Sequence, residues 1–205
     1  MSISSINESD TATNLRQIIT IPLETGLISL RGLSPQRLRF ELEYALERGS
    51  TANSFLFVAG QNKAGDQHSA VLVHPPGTPY AEVFIPALAK ALPSNTVELN
   101  VVVGHVNPSR VVLLQKLANV YHQLKLISSN PGAKLLKELW NQRKPAAADD
   151  KAQITPPILP LPEIQIIRHE QVLQLSNNHE LRLIPAATAR WPGGLLAFEE
   201  SLGLL

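Results

Sequence analysis

Apolar and polar positions repeat with several different periods along this chain, and the changes of period mark out its elements. The first 16 residues are rich in Ser, Asn, Asp and Thr and show no apolar rhythm, so 1–26 reads as a disordered or extended polar tail. An apolar run at 27–30 predicts a short strand. Leu38, Phe40, Leu42, Tyr44 and Leu46 then alternate with charged residues and Ala45, which is a strand period even though Glu, Leu and Ala favour helix. Residues 54–59 and 70–74 predict two more strands, joined by a polar turn at 60–66.

From there the period changes. Thr78-Pro79, Asn107-Pro108 and Asn130-Pro131 each place a small polar residue before a proline. The side chain can cap free helix amides, and proline at the first helical position gives up a hydrogen bond that would not have formed. Each pair follows a β-rich run, at 70–74, 97–103 and 124–128. The pattern predicts repeated β-α alternation, an α/β (α+β) chain with helices covering a sheet. Pro86 lies inside the first helix and predicts a kink. Residues 144–163 hold five of the sixteen prolines and read as a surface linker or insertion. Beyond it, 164–168, 171–175 and 180–184 predict short strands, with the last two forming a hairpin around 176–179.

Composition narrows the function classes. With 205 residues, 44% of them hydrophobic and 17% charged, the chain can bury one core. A net charge of +1 and no basic cluster argue against nucleic acid as a partner. The absence of cysteine excludes disulfides, thiolate metal sites and a cysteine nucleophile, and agrees with a reducing cytoplasm. No apolar run reaches the roughly 20 residues of a membrane span, and the amino terminus lacks the pattern of a signal peptide. Neither GxGxxG nor a P-loop occurs.

The candidate chemistry lies in Val101-Val102-Val103-Gly104-His105-Val106-Asn107-Pro108-Ser109-Arg110, where a β-branched run stops at glycine, histidine follows, and a capped helix begins. This stretch resembles the strand-to-helix turn of flavodiiron proteins, a branch of the metallo-β-lactamase superfamily that carries His-x-Glu-Pro-Asp-His there. His105 and Pro108 are in register with that motif. Asn107 stands in place of its glutamate, Ser109 of its aspartate and Arg110 of its second histidine. The likeness to the cyanobacterial diflavin type extends over about residues 37–205. It includes Arg37 to Leu56, Val73-His74-Pro75-Pro76-Gly77, Ser128-Ser129-Asn130-Pro131-Gly132-Ala133-Lys134, and Ile184-Pro185 through Arg190-Trp191-Pro192. His74 replaces the family's usual aspartate, and Arg190 replaces an iron-binding histidine ahead of the tryptophan.

The resemblance implies a metallo-β-lactamase-like αββα sandwich at 27–205, of which this chain holds the first half to two-thirds. It implies the family activity of an NAD(P)H:oxygen oxidoreductase, passing electrons through FMN to dioxygen to give water, with di-iron, FMN and NAD(P)H as family cofactors. It also implies homo- or hetero-oligomers with flavodiiron subunits, and flavin domains following the carboxyl end, where apolar 202–205 predicts a chain that stops inside a strand. Asparagine, serine and arginine supply no negative charge for two irons, and arginine has no lone pair to donate. His105 is thus the only matching ligand, its site is expected to be metal-free, and no catalytic residue is assigned. His105, Arg110 and Arg190 form a candidate anion site at the old metal pocket, with the two guanidinium groups expected either to hold an anion between them or to turn out to solvent. A non-catalytic or regulatory subunit of a flavodiiron hetero-oligomer is the alternative, and a metallo-hydrolase the weaker third. His74, taken alone, reads as a solvated or hydrogen-bonded side chain, Trp191 as packing, and His68, His122, His169 and His179 as structural residues near turns or exposed faces.

Overall fold

A computed structural model describes residues 16–37, 49–58, 68–94, 96–142, 159–175 and 179–204. The strand expected at 38–46, the turn at 60–66 and most of the proline-rich segment lie outside the described residues. Ten strands and three helices follow in chain order: β1 (Gln17–Glu24), β2 (Leu27–Ser34), β3 (Ser50–Val58), β4 (His68–Val73), α1 (Ala81–Ala91), β5 (Thr96–Val102), α2 (Pro108–Val120), β6 (Leu124–Ser129), α3 (Asn130–Trp140), β7 (Ile164–Ile167), β8 (Gln171–Gln174), β9 (Glu180–Pro185) and β10 (Leu195–Glu199).

The first seven strands form one sheet in sequence order, and β8, β9 and β10 form a second sheet. Strands β1 to β4 are antiparallel, joined in sequence. From β4 to β7 the pairing is parallel. Parallel neighbours need crossovers, and α1, α2 and α3 supply them.

Neighbouring apolar residues in the central strands point to opposite faces, and both faces are covered. Leu56, Leu72, Val101 and Leu126 join Phe84, Leu88, Leu113, Leu117, Leu136 and Trp140 in the core under the helices. Phe57, Val71, Val102 and Ile127, each one residue along, meet Leu181, Leu183 and Leu195 of the small sheet. The described residues therefore supply a helix layer, a large sheet and a small sheet, the first three layers of an αββα sandwich. Among them, no helix is long and apolar enough to cross a membrane.

Four local expectations change. Residues 17–24, assigned to the polar tail, form an edge strand that pairs with β2 and is interrupted by a bulge between Pro22 and Glu24, and Pro22 is a residue tolerated at a sheet edge. Thr78-Pro79 opens a 3-10 turn at 78–80 ahead of α1, and Gly77, without a side-chain cap, precedes it. Ser129, rather than Asn130, caps α3, its Oγ accepting from Gly132 N at 3.1 Å. The end of the proline-rich segment is seated on the core: Leu159 and Leu161 pack there, and Leu159 O accepts from Trp140 Nε1 at 2.9 Å. The expected cap of α2 is present, with Asn107 Oδ1 accepting from Arg110 N at 2.8 Å. Helix α1 runs through Pro86 to Ala91.

Candidate functional site

The carboxyl ends of β4, β5 and β6 open on the same edge of the parallel sheet, the edge at which open α/β sheets bind ligands. His74 follows β4, His105 lies between β5 and α2, and the segment 186–194 crosses over both. Three hydrogen bonds fix that segment. Ser129 Oγ donates to Gly193 O at 2.9 Å, Leu195 N donates to Gly104 O at 3.1 Å, and Ala186 N donates to Gly194 O at 3.0 Å. At Gly104 a Cβ would stand 2.7 Å from Leu195 O, so glycine is what lets β5 and β10 approach this closely.

Arg110 is the centre of the site. It is 8% exposed, on the first turn of α2. Its Nε donates to Pro75 O at 2.6 Å and one terminal nitrogen donates to His105 O at 2.5 Å. The other terminal nitrogen lies 3.3 Å from His74 Nε2. Guanidinium has donors only, so in this contact His74 Nε2 is the acceptor and the ring is neutral with its hydrogen on Nδ1. Burial, then the charge of Arg110, then His105 push the imidazole of His74 down to about 4. The residue as a whole is exposed, so water screens part of this effect and the Arg110 contact counts for more than burial. Burial pulls the guanidinium of Arg110 down to about 10, which leaves it charged at neutral pH.

The backbone presents His74 to Arg110. His74 has φ of 57°, in the left-handed region that non-glycine residues seldom adopt, and Ser54 Oγ donates to its carbonyl at 2.9 Å. His105 packs edge-to-face on Trp191, ring centroids 5.7 Å apart. Trp191 is 44% exposed, so the packing expected of it takes place at the surface. Asn107 is engaged as a helix cap. Ser109 Oγ accepts from Thr78 N at 3.0 Å and its carbonyl accepts from Thr78 Oγ1 at 2.5 Å, which ties the start of α2 to the 3-10 turn.

Of the five residues singled out from the sequence, the structure draws His105, Asn107, Ser109 and Arg110 into one turn. Arg190 differs from Arg110 in being exposed. Arg110, expected to share an anion with it, instead has protein acceptors for Nε and both terminal nitrogens. The residue that sequence reasoning undervalued is His74. Its position before Pro75-Pro76 at a strand end was the available signal.

No family model matches the chain. It is 31% identical over 198 residues to diflavin flavoprotein A 4 of Nostoc sp. PCC 7120, covering 95% of this chain and 29% of that protein. It is 33% identical over 194 residues to diflavin flavoprotein A 6 of the same organism, again covering 29% of the relative. Among solved structures, the metal-soaked Flv1 flavodiiron core from Synechocystis sp. PCC6803 superposes with a TM-score of 0.69 at 30% identity, over 90% of this chain and 40% of that one. The chain belongs with the diflavin flavoproteins of the flavodiiron family. It spans less than a third of the length of the curated relatives it matches.

The metal that gives flavodiiron proteins their name does not fit these residues. Two irons need several anionic oxygens and neutral imidazoles close together. Among the described residues no three His, Cys, Asp or Glu side chains converge in a way that could hold a metal ion. A guanidinium, two imidazoles, a capping amide and a tied hydroxyl occupy the strand-to-helix turn instead.

Proposed function

We propose that this chain is the amino-terminal metallo-β-lactamase-like portion of a diflavin flavodiiron protein whose own metal position is inactive. The activity of the complete system is then the family's: NAD(P)H:oxygen oxidoreduction, with electrons passing through FMN to dioxygen and water as product. FMN and NAD(P)H are held by segments outside this chain, and the irons by related subunits. The observation that carries this reading is the buried Arg110 guanidinium, bonded to Pro75 O and His105 O, with no carboxylate hydrogen-bonded to it among the described residues. A site that had merely lost its ligands would leave these two carbonyls to water. Here a fixed cation joins the loop after β4 to the turn after β5, which supports a maintained, non-catalytic fold and favours the role of partner in a flavodiiron hetero-oligomer over that of a metallo-hydrolase.

Elemental analysis of the purified, untagged chain after growth in iron-supplemented medium tests this. Fewer than about 0.2 irons or zincs per chain are expected from a site with one matching ligand. Close to two irons per chain would overturn the reading.

A further inference from the structure

A second buried polar cluster lies at the other end of β10. His179, just before β9, is 6% exposed, and Glu199, at the end of β10, is 1% exposed. His179 Nδ1 stands 2.9 Å from Glu199 Oε1, and Nε2 stands 2.9 Å from the carbonyl oxygen of Thr25, in the turn between β1 and β2. Glu199 Oε1 also accepts from Ser201 Oγ at 2.6 Å, and Oε2 accepts from Leu202 N at 2.7 Å. Its backbone pairs in both directions with Leu204, at 2.7 and 3.1 Å. One carboxylate therefore organises the whole 199–204 turn.

The hydrogen-bond partners dictate the protonation state. Burial opposes ionisation of Glu199, but hydrogen bonds from Ser201, His179 and Leu202 outweigh it and hold the carboxyl below its usual range. An ionised carboxylate only accepts, so Nδ1 carries a hydrogen. A carbonyl only accepts, so Nε2 carries one as well. Only imidazolium satisfies both. Neighbouring charges are engaged elsewhere: Glu180 accepts from Gln174 at 2.9 Å, and Glu200 and Glu170 bind Arg182. Glu24, beside Thr25, is exposed, and from β3 it is the Phe57 ring that meets His179, centroids 5.5 Å apart.

The cluster borders an apolar seam between the two sheets, a narrow cavity of about 20 Å³ partly open to solvent, walled by Leu27, Phe55, Phe57, Val73 and Leu181, with Glu199 and Leu204 at one side. We propose that His179 and Glu199 form a proton-held latch on this seam. The imidazolium ties the β1–β2 turn to the 199–204 turn, and loss of its proton releases one of the two and uncovers the apolar walls. The closed latch binds one proton that a broken latch with a neutral ring does not. Loss of that proton and opening of the latch are therefore linked. At far lower pH, protonation of Glu199 opens it again, below the point at which an ordinary carboxyl would titrate.

The test uses the 205-residue chain labelled with nitrogen-15, from about pH 5 to about pH 9, a span that brackets the ordinary histidine range. Ring nitrogen shifts report the protonation of His179. Amide exchange of Leu202 and Leu204, corrected for intrinsic base catalysis, reports the turn, and an apolar fluorescent dye reports the seam. While the latch is closed both ring nitrogens should carry hydrogen. On deprotonation, exchange at Leu202 and Leu204 should rise about tenfold as a local opening, with dye binding rising in parallel, and Glu199→Gln should abolish the step. A ring that stays singly protonated at the acid end of this range would overturn the latch. So would exchange that stays flat while the ring titrates. Both wild-type outcomes decide the matter even if the variant does not fold.

Discussion

Strand β10 joins two histidine-containing clusters of opposite electrostatic design. At its start, Leu195 is bonded to Gly104, beside two imidazoles and a guanidinium to which no carboxylate is hydrogen-bonded among the described residues. At its end, Glu199 and His179 stand 2.9 Å apart and form an ion pair when the imidazole is protonated. In the first cluster carbonyl dipoles stand in for a counter-charge, and the neighbouring histidine is held neutral. In the second a carboxylate is present, and the histidine is the cation. One residue type thus takes either charge state within a single fold, according to whether its neighbours donate or accept. The contrast also separates a cluster braced through backbone carbonyls from one organised by a carboxylate.

The strongest way to break this comparison is to remove the cation that lacks an anion. Arg110→Met keeps the aliphatic packing and strands the Pro75 and His105 carbonyls, which should cost about 3–5 kcal/mol as for other broken buried polar groups. Urea denaturation would show it as a lowered midpoint with an unchanged slope. Arg110→Lys should fall between, because an ammonium retains the charge but cannot span three acceptors in a fixed fork. A loss under about 1 kcal/mol for the methionine variant would mean that water replaces the guanidinium at no great cost, and that the brace described here is dispensable.

At the other cluster the expected effect is somewhat smaller. Glu199→Ala removes the acceptor for His179, Ser201 and Leu202 together, and should cost about 2–4 kcal/mol near neutral pH. Glu199→Gln should cost less, since an amide oxygen still accepts. Measured by the same denaturation at low and high salt, the alanine effect should change little, because a pair this buried is weakly screened. A strong salt dependence would place the pair in water and remove the distinction between the two ends.

Much of the fold was legible because both faces of the sheet are apolar. Val101-Val102-Val103 reads as a buried strand from composition alone, and the three-residue step from Asn107 to Arg110 reads as a cap. The edge strand at 17–24 was not legible, since its half-buried positions, Ile18 and Ile21, are out of phase for a strand and its other residues are exposed. Nor were the partners of Arg110, because two of them are backbone carbonyls, which any residue supplies. The charge on His179 depends on Thr25, 154 residues away in sequence, and on Glu199, and neither spacing carries a signal. The weight of His74 depends on a left-handed backbone that a histidine between Val73 and Pro75 does not advertise.

The smallest expected effect tests that last point and bears on the metal-position cluster alone. The ring of His74 is held down to about 4 when folded, against about 6.5 for a free histidine. Between those values the unfolded chain binds the extra proton, so this contribution to stability is fully present above pH 6.5 and declines as pH falls through about 4. Because the residue is exposed and screened, the loss should be about 1 kcal/mol or less. His74→Asn separates the terms. Asparagine tolerates the left-handed backbone, and its side-chain oxygen can accept from Arg110 without titrating. The variant should match wild type at pH 7.5 and exceed it at pH 4.5, which cancels the acid response of every other histidine from the difference. If the two proteins lose stability in parallel on acidification, His74 is not the group that Arg110 keeps neutral, and the guanidinium rests on the two carbonyls alone.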